Sequence, residues 1–416
     1  MPSNEVPHTA VHSAGRGLLR GFRSEIALVV AVLAVFGVTL LFNDSYWLDP
    51  EFNFKELLRQ TSLLGIFALG AAIVIISGGI DLSAGSVIAF SGAICAQVML
   101  VLAPLDELGD PVTKDIGNGV MLLAIGAAVL TGLAIGTFHA WLITVIKLPP
   151  FVATLASLVG LRSLAKVMNQ EINKWVGGES ALINILDPTF YALGDIWWIP
   201  LLIFLVLSLL AWVLMSRTVL GRHLYAMGGN EQAARLSGIR TDRLKWFAYC
   251  AGSVTAAIAG VLYTAEGTGS DPQTQGRGYE LNAIAAAVVG GCSLQGGIGT
   301  IQGVMLGVLF LRVVMDAVTK VVGAGSDDYE GLIVGCLVVL AVAFSELRTS
   351  TANARKEFFP GLLGLLTIPI LAVLLCTVTA VMISWNTGLQ VGAVVLAVLG
   401  TMKFFEWRRK RKLAQA

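Results

Sequence analysis

Long apolar runs leave this sequence few ways to fold. They fall at roughly 26–42, 60–77, 85–103, 119–146, 150–168, 197–215, 246–264, 278–291, 300–319, 330–345, 361–384 and 388–402. Several reach the ~17–25 residues a helix needs to cross the hydrocarbon layer. Backbone polar groups in lipid must be satisfied within the segment, which makes these runs α-helices. Charged residues make up 13% of the chain and hydrophobic ones 56%, about half the charge of a soluble domain. The expected fold is an all-α polytopic membrane bundle of about ten core helices, with interrupted or re-entrant segments and an extra C-terminal helix pair. The run at 278–291 is short and broken by glycines, so whether it crosses is open.

Net charge is +1, which gives no global field to attract nucleic acid. Cys95, Cys250, Cys292, Cys336 and Cys376 are scattered without a C-x-x-C pair and read as small apolar packing residues. The four histidines, His8, His12, His139 and His223, form no metal-ligand pattern. Arg16, Arg20 and Arg23 precede the first apolar run as in a signal peptide. The run is long, however, and ends in NDSYW without a cleavage site, so it reads as a retained span. The NDS at Asn43 is a formal glycosylation sequon that says little alone.

Basic residues in short loops stay cytoplasmic. With the N-terminus inside, the 216–245 loop, SELRTSTANARKEFF and the tail KFFEWRRKRKL all fall inside. The acidic LDELGDPVTKD and GAGSDDYEG fall outside. This divides the chain into an N-terminal cytoplasmic tail (1–25), a transmembrane region (26–347) with a cytoplasmic loop at 216–245, and a final segment (348–416). That segment carries a linker, two further helices and a basic cytoplasmic tail.

Between two apolar runs lies SGGIDLSAGS, Ser77 to Ser86. A charge at mid-bilayer costs about 2.5–3.5 kcal/mol on insertion scales unless paired or wet. Three readings of Asp81 stand open. Asp81 and Ser83 cap the next helix at the membrane edge; the glycines interrupt a helix so that freed backbone lines a wet path; or Asp81 pairs with a base such as Arg162. Arg162 and Lys166 share a helix face, and snorkelling to headgroups is their ordinary explanation. GGIDLSAG (78–85) and GGCSLQGG (290–297) share the pattern G-G-x-[D/S]-L-x-x-G, a faint internal repeat that points to two related halves. Gly299, Gly303 and Gly307, and likewise Gly132 and Gly136, recur every four residues, which lets helices approach closely.

The 216–245 loop contains GGNEQAARLSGI (228–239). Asn230 reads as an N-cap, Glu231 as an acid near the positive helix end, and Gly238 as the stop. A short capped helix amid basic residues suits docking to a cytoplasmic partner, or attachment to anionic headgroups. The chain carries no G-x-x-x-x-G-K-[ST], H-E-x-x-H or G-x-S-x-G, so neither P-loop ATP binding nor these catalytic sites are expected.

Taken together, GGIDLSAGS, LPPFVATLASLVGLRS, GGNEQAARLSGI and ELNAIAAAVVGGCSLQGGIGT resemble the membrane permeases of bacterial ABC importers, in the branch that includes ribose, xylose and arabinose permeases. The resemblance spans about residues 55–347. It implies a non-enzymatic transport subunit for a monosaccharide, located in the inner membrane with both termini cytoplasmic. Implied partners are a second permease chain (a homodimer), the membrane lipid around the permease, a cytoplasmic ABC ATPase that binds ATP and Mg²⁺, and a periplasmic sugar-binding protein. No cofactor, metal or nucleic acid is implied for this chain. Gly228, Gly229, Asn230, Glu231, Ala233, Ala234, Arg235 and Gly238 correspond to the loop that meets the ATPase. Asp81, Ser83, Gly85, Ser293 and Gly296 are the residues expected at the path or gate, with Arg162 a possible charge partner. The sequence departs from the family pattern in its two extra C-terminal segments and at Cys292 and Gln295. Other cargoes fit the same architecture: a nucleoside, a sugar-derived signal or a branched-chain amino acid. An ion-driven secondary transporter would want buried ionisable groups in several spans, and Asp81 stands nearly alone in the sequence.

Overall fold

The computed structural model describes residues 14–42, 45–178, 180–322, 331–337, 339, 361–382 and 384–414. The expectations for His8 and His12, the Asn43 sequon, the SELRTSTANARKEFF loop and most of GAGSDDYEG lie outside the described residues. Two compact units divide the chain, Met1–Ser345 and Glu346–Ala416.

The first unit is a helical bundle. Its helices are α1 (Ala14–Phe42), α2 (Ser45–Leu48), α3 (Pro50–Ile76), α4 (Ala84–Val101), α5 (Asn118–Thr144), α6 (Pro150–Trp175), α7 (Pro188–Asp195), α8 (Trp198–Arg217), α9 (Val219–Gly229), α10 (Glu231–Leu236), α11 (Thr241–Glu266), α12 (Tyr279–Val289) and α13 (Ile301–Val322). A further helical stretch lies at 331–337. Across the described residues, eight helices are long and apolar enough to cross a membrane. In the second unit, Gly361–Met382 and Trp385–Ala414 pack as a pair. Gly388 of the second helix seats against Cys376 and Ala380 of the first.

α3 is the central helix. Every residue from Thr61 to Ile76 is buried, because α3 is wrapped by α8, α11, α12 and α13. Small residues make this closeness possible, as packing within lipid requires. Gly132 and Gly136 of α5 lie against Ser253, Ala257 and Cys250 of α11, and Gly303 and Gly307 of α13 lie against Gly290 and Ala286.

α6 runs to Trp175, past the apolar run that ends near residue 168. The polar extension is satisfied by a short antiparallel pairing, β1 (Ile183–Asn184) with β2 (Gly269–Ser270). Asn169 Nδ2 donates to the Ala181 carbonyl at 2.8 Å, and Gln97 Nε2 donates to Asn169 Oδ1 at 2.8 Å. Asn173 Nδ2 donates to the carbonyls of Ser180 and Leu182 at 2.8 and 2.7 Å. Polar residues thus continue this helix because the folded chain supplies partners that composition does not reveal.

α12 is a half-helix of 11 residues. After α11 the chain folds back through 267–278 before α12 begins, and α12 leads to a turn packed against α9. The fold-back and α12 together make one traverse of the bundle, from the β1–β2 end to the α9 end. The alternation of helix directions along the bundle is therefore kept.

Candidate functional site

The long polar loop folds as two helices rather than one, α9 and α10. Thr218 caps α9, its Oγ1 accepting from Gly221 N at 3.1 Å. Asn230 caps α10, its Oδ1 accepting from Ala233 N at 2.9 Å. Gly238 ends the unit at φ +82°, with its own N–H on Arg235 O and the Ile239 N–H on Ala234 O. This is the glycine-terminated arrangement that satisfies the last carbonyls of a helix. Ion pairs hold the resulting hook: Glu231 with Lys245 at 2.7 Å, and Arg235 with Glu231 at 3.3 Å and Asp242 at 3.4 Å. Ala234 is buried, Gly229 and Ala233 are exposed, and Leu236 is 90% exposed at the tip.

The base of the hook is tied to the bundle through glycine. A Cβ on Gly228 would collide with the Ile76 carbonyl, at the end of α3, and approach Gly297 N to 2.6 Å. Gly297 N–H donates to that same Ile76 carbonyl at 2.8 Å. A Cβ on Gly296 would lie 2.7 Å from both Gly228 O and Gly78 Cα. Gly78 and Gly296 have φ of +84° and +88°, which side chains rarely tolerate. Tyr225 of α9 adds a hydrogen bond from its hydroxyl to Gly299 O at 2.8 Å. Burial, and then the neighbouring Cys292, push Tyr225 up to about 12, so it remains a donor at neutral pH. Three backbones therefore meet at one point: the α3–α4 turn, the α12–α13 turn and the foot of the hook.

The two turns are structurally alike, one residue out of step with the sequence repeat. Ser77, Gly78 and Gly79 donate their N–H groups to Ile73, Ile75 and Val74. Gly290, Gly291 and Cys292 donate in the same pattern to Ala286, Val288 and Ala287. The position matching Gly78 is thus Gly291, at φ +94°, rather than Gly290.

Asp81 is buried in the bundle, only 6% exposed. Its Oδ1 accepts from Ser83 N at 2.8 Å and Ser83 Oγ at 2.6 Å, and its other oxygen faces Gly252 of α11. Ser83 stands at the N-cap of α4 but makes no side-chain cap bond of its own. Nearby, the Tyr249 hydroxyl donates to the Ile80 carbonyl at 3.5 Å, and its ring lies 6.5 Å from that of His139. His139 Nε2 is 2.7 Å from Ser157 Oγ.

The expected pairing of Asp81 with Arg162 is corrected, as is snorkelling of Arg162 to headgroups. Arg162 lies midway along α6 and donates through Nη1 to the carbonyls of Pro272 and Gln275, at 2.8 and 2.9 Å. Its acidic neighbours are Glu280 and Asp271, because the fold-back passes beside α6. The five path residues do not converge. Asp81 and Ser83 share one nest, and Gly85 lies under Gly276 and the Glu280 carboxylate. Ser293 and Gly296 form a tight turn at the hook, with Gly296 N on Ser293 O at 2.9 Å.

Two charged groups escaped the sequence reading. Glu280 is buried on α12, and Arg162, Lys166, Arg277 and Glu280 line a cavity of about 490 Å³. At the bundle end far from the hook, Arg59 contacts Glu56, Glu266 and Asp195 at 2.7, 3.2 and 3.3 Å, joining α3, α11 and α7. Asp81 is therefore not nearly alone. An acid inside the apolar YELNAIAAAVV was the available signal for Glu280. Among the described residues no cluster of His, Cys, Asp or Glu could hold a metal ion.

A model of the family described as Branched-chain amino acid transport system / permease component matches residues 53–342. The ribose import permease protein of Haemophilus influenzae is 32% identical over 347 residues, 83% of this chain and 98% of that relative. The ribose import permease protein of Bacillus subtilis is 33% identical over 334 residues, 80% and 95% respectively. The autoinducer 2 import system permease protein of Yersinia pestis is 33% identical over 284 residues, 68% and 74%. No solved structure matches. With a multi-span apolar bundle and most of its length matched, this chain belongs to the Branched-chain amino acid transport system / permease component family.

Proposed function

We propose that this permease component conducts a monosaccharide of the ribose type inward across the bacterial inner membrane. Its family implies an ATPase and a substrate-binding protein as partners, with the chain itself a multi-pass transport subunit. In this reading two copies form the pore, both termini are cytoplasmic, and ATP with Mg²⁺ binds the partner. The hook from Gly228 to Gly238 receives the ATPase.

The observation that carries the reading is the glycine junction at Gly78, Gly228 and Gly296. A push on the hook has no side chain to absorb it there. The displacement passes directly to the turns that begin α4 and α13, so one input would tilt both halves. Packed interfaces of this kind switch between discrete arrangements rather than deform continuously. ATP need only favour one of them.

A sugar-derived signal is the second reading, favoured by the likeness to the autoinducer 2 permease protein over 68% of this chain. Uptake by the assembled importer in vesicles tests the proposal. Arg235→Glu places a third acid beside Glu231 and Asp242. Exposed pairs contribute only about 0–1 kcal/mol, so the protein should still insert, while uptake per ATP hydrolysed falls. Unchanged coupling would remove the hook from the mechanism.

A further inference from the structure

The fold-back segment 271–278 presents a physical problem. Arg162, which it embraces, has 12 residues of α6 before it and 13 after. Measured against the apolar run 150–168, which at 1.5 Å per residue spans about 28 Å, Arg162 lies about 9 Å from the polar end, inside a hydrocarbon layer about 30 Å thick. Gln273, Thr274 and Arg277 nevertheless are exposed on the surface of the chain at this depth. Irregular backbone does not face lipid at such a depth; it is covered by protein or lines water.

The same place holds unmet hydrogen-bonding capacity. Arg162 Nη2, Gln275 Oε1 and Glu280 Oε2 are buried and have no hydrogen-bond partner among the described residues. Glu280 is only 8% exposed, and its carboxylate packs over Gly85, where any side chain would displace it. The cavity of about 490 Å³ opens beside these groups, and Ser163, Lys166, Gln273 and Arg277 complete its polar wall. It is also the place where α12 starts. Gly278, at φ +79°, makes no side-chain cap for that helix. Interrupted helices in transporters direct such ends at the polar groups of their solutes.

We propose that this cavity, between the middle of α6 and the start of α12, is a water-filled solute station. Here Glu280 and Arg162 take the hydroxyl groups of a neutral polyol such as a pentose. Carboxylate and guanidinium supply acceptor and donor side by side, which suits vicinal hydroxyls that are both. Lys166 and Arg277 border the station and balance Glu280 and the nearby Asp271. Gly85 serves it by leaving room for the Glu280 carboxylate. The choice of solute rests on the sugar reading above; the wetness of the cavity does not.

The test uses the importer assembled with its ATPase and binding protein in vesicles. A cysteine at position 273 (Gln273→Cys, native cysteines replaced) is exposed to a charged, membrane-impermeant thiol reagent. The station predicts labelling; no labelling would mean lipid or protein covers the segment and would overturn the proposal. In parallel, uptake of ribose and 2-deoxyribose is compared. Glu280→Gln and the milder Lys166→Gln should lower ribose uptake, the former about tenfold, and shrink the preference for ribose over its deoxy analogue. An equal fall for both sugars, with ATP hydrolysis falling alongside, would assign Glu280 a purely structural part and overturn the proposal. Failure of the unmodified importer to take up either sugar would sink the sugar reading instead, and labelling at 273 would still decide whether the cavity is wet.

Discussion

The Asp81 carboxylate accepts the backbone N–H and the hydroxyl of Ser83, at 2.8 and 2.6 Å, while buried opposite Gly252. This turn lets the chain leave α3 and start α4 inside the bundle without orphaning the Ser83 N–H. Asparagine keeps an Oδ1 acceptor in the same place, so Asp81→Asn should be mild. Asp81→Ala removes the acceptor and leaves a buried donor unmet, at a cost of about 1–3 kcal/mol. Thermal unfolding of the purified chain in detergent separates the two. Equal losses for both variants would show that the charge, rather than the acceptor, is what the fold uses.

Helix α6 shows what a hydropathy pattern reveals and what it conceals. Its start at Pro150 was legible, because proline fits the first turn of a helix. Its last turn was not, since Asn169 and Asn173 look like an ending until β1 and β2 supply their partners. Asn169→Ala should therefore cost about 1–3 kcal/mol by stranding Gln97 and the Ala181 carbonyl. Proteolysis within 176–187 should speed up with it, and an unchanged rate would place the support elsewhere. The hook's α10 was fully legible, because Asn230 and Gly238 are local signals that act within a few residues. The extent of α12 was legible too, Tyr279–Val289 falling within the run at 278–291; α9 was not, because it ends where Gly228 abuts the Ile76 carbonyl of α3, a contact that no local pattern announces. Arg162 was misplaced for the same reason: its depth follows from where α6 ends and where the 271–278 segment folds back, and neither is written locally.

Across the whole bundle, two like turns, one after α3 and one after α12, converge on the foot of a single exposed hook. That arrangement gives the sequence repeat a physical meaning, although the structural match runs one residue out of step with the letters. It also explains why coupling should depend on residues with no side chain. Gly228→Ala would press a methyl group onto the Ile76 carbonyl, an overpacking that costs typically about 1–3 kcal/mol and shifts backbone. On the proposed function, the hook itself, exposed and held by its own ion pairs, should still meet the ATPase. The most direct measurement is sugar imported per ATP hydrolysed by the reconstituted importer, unmodified and with Gly228→Ala. The account predicts that hydrolysis persists while imported sugar falls at least about tenfold, the two turns no longer following the hook. A variant that imports as much sugar per ATP as the unmodified protein would contradict it.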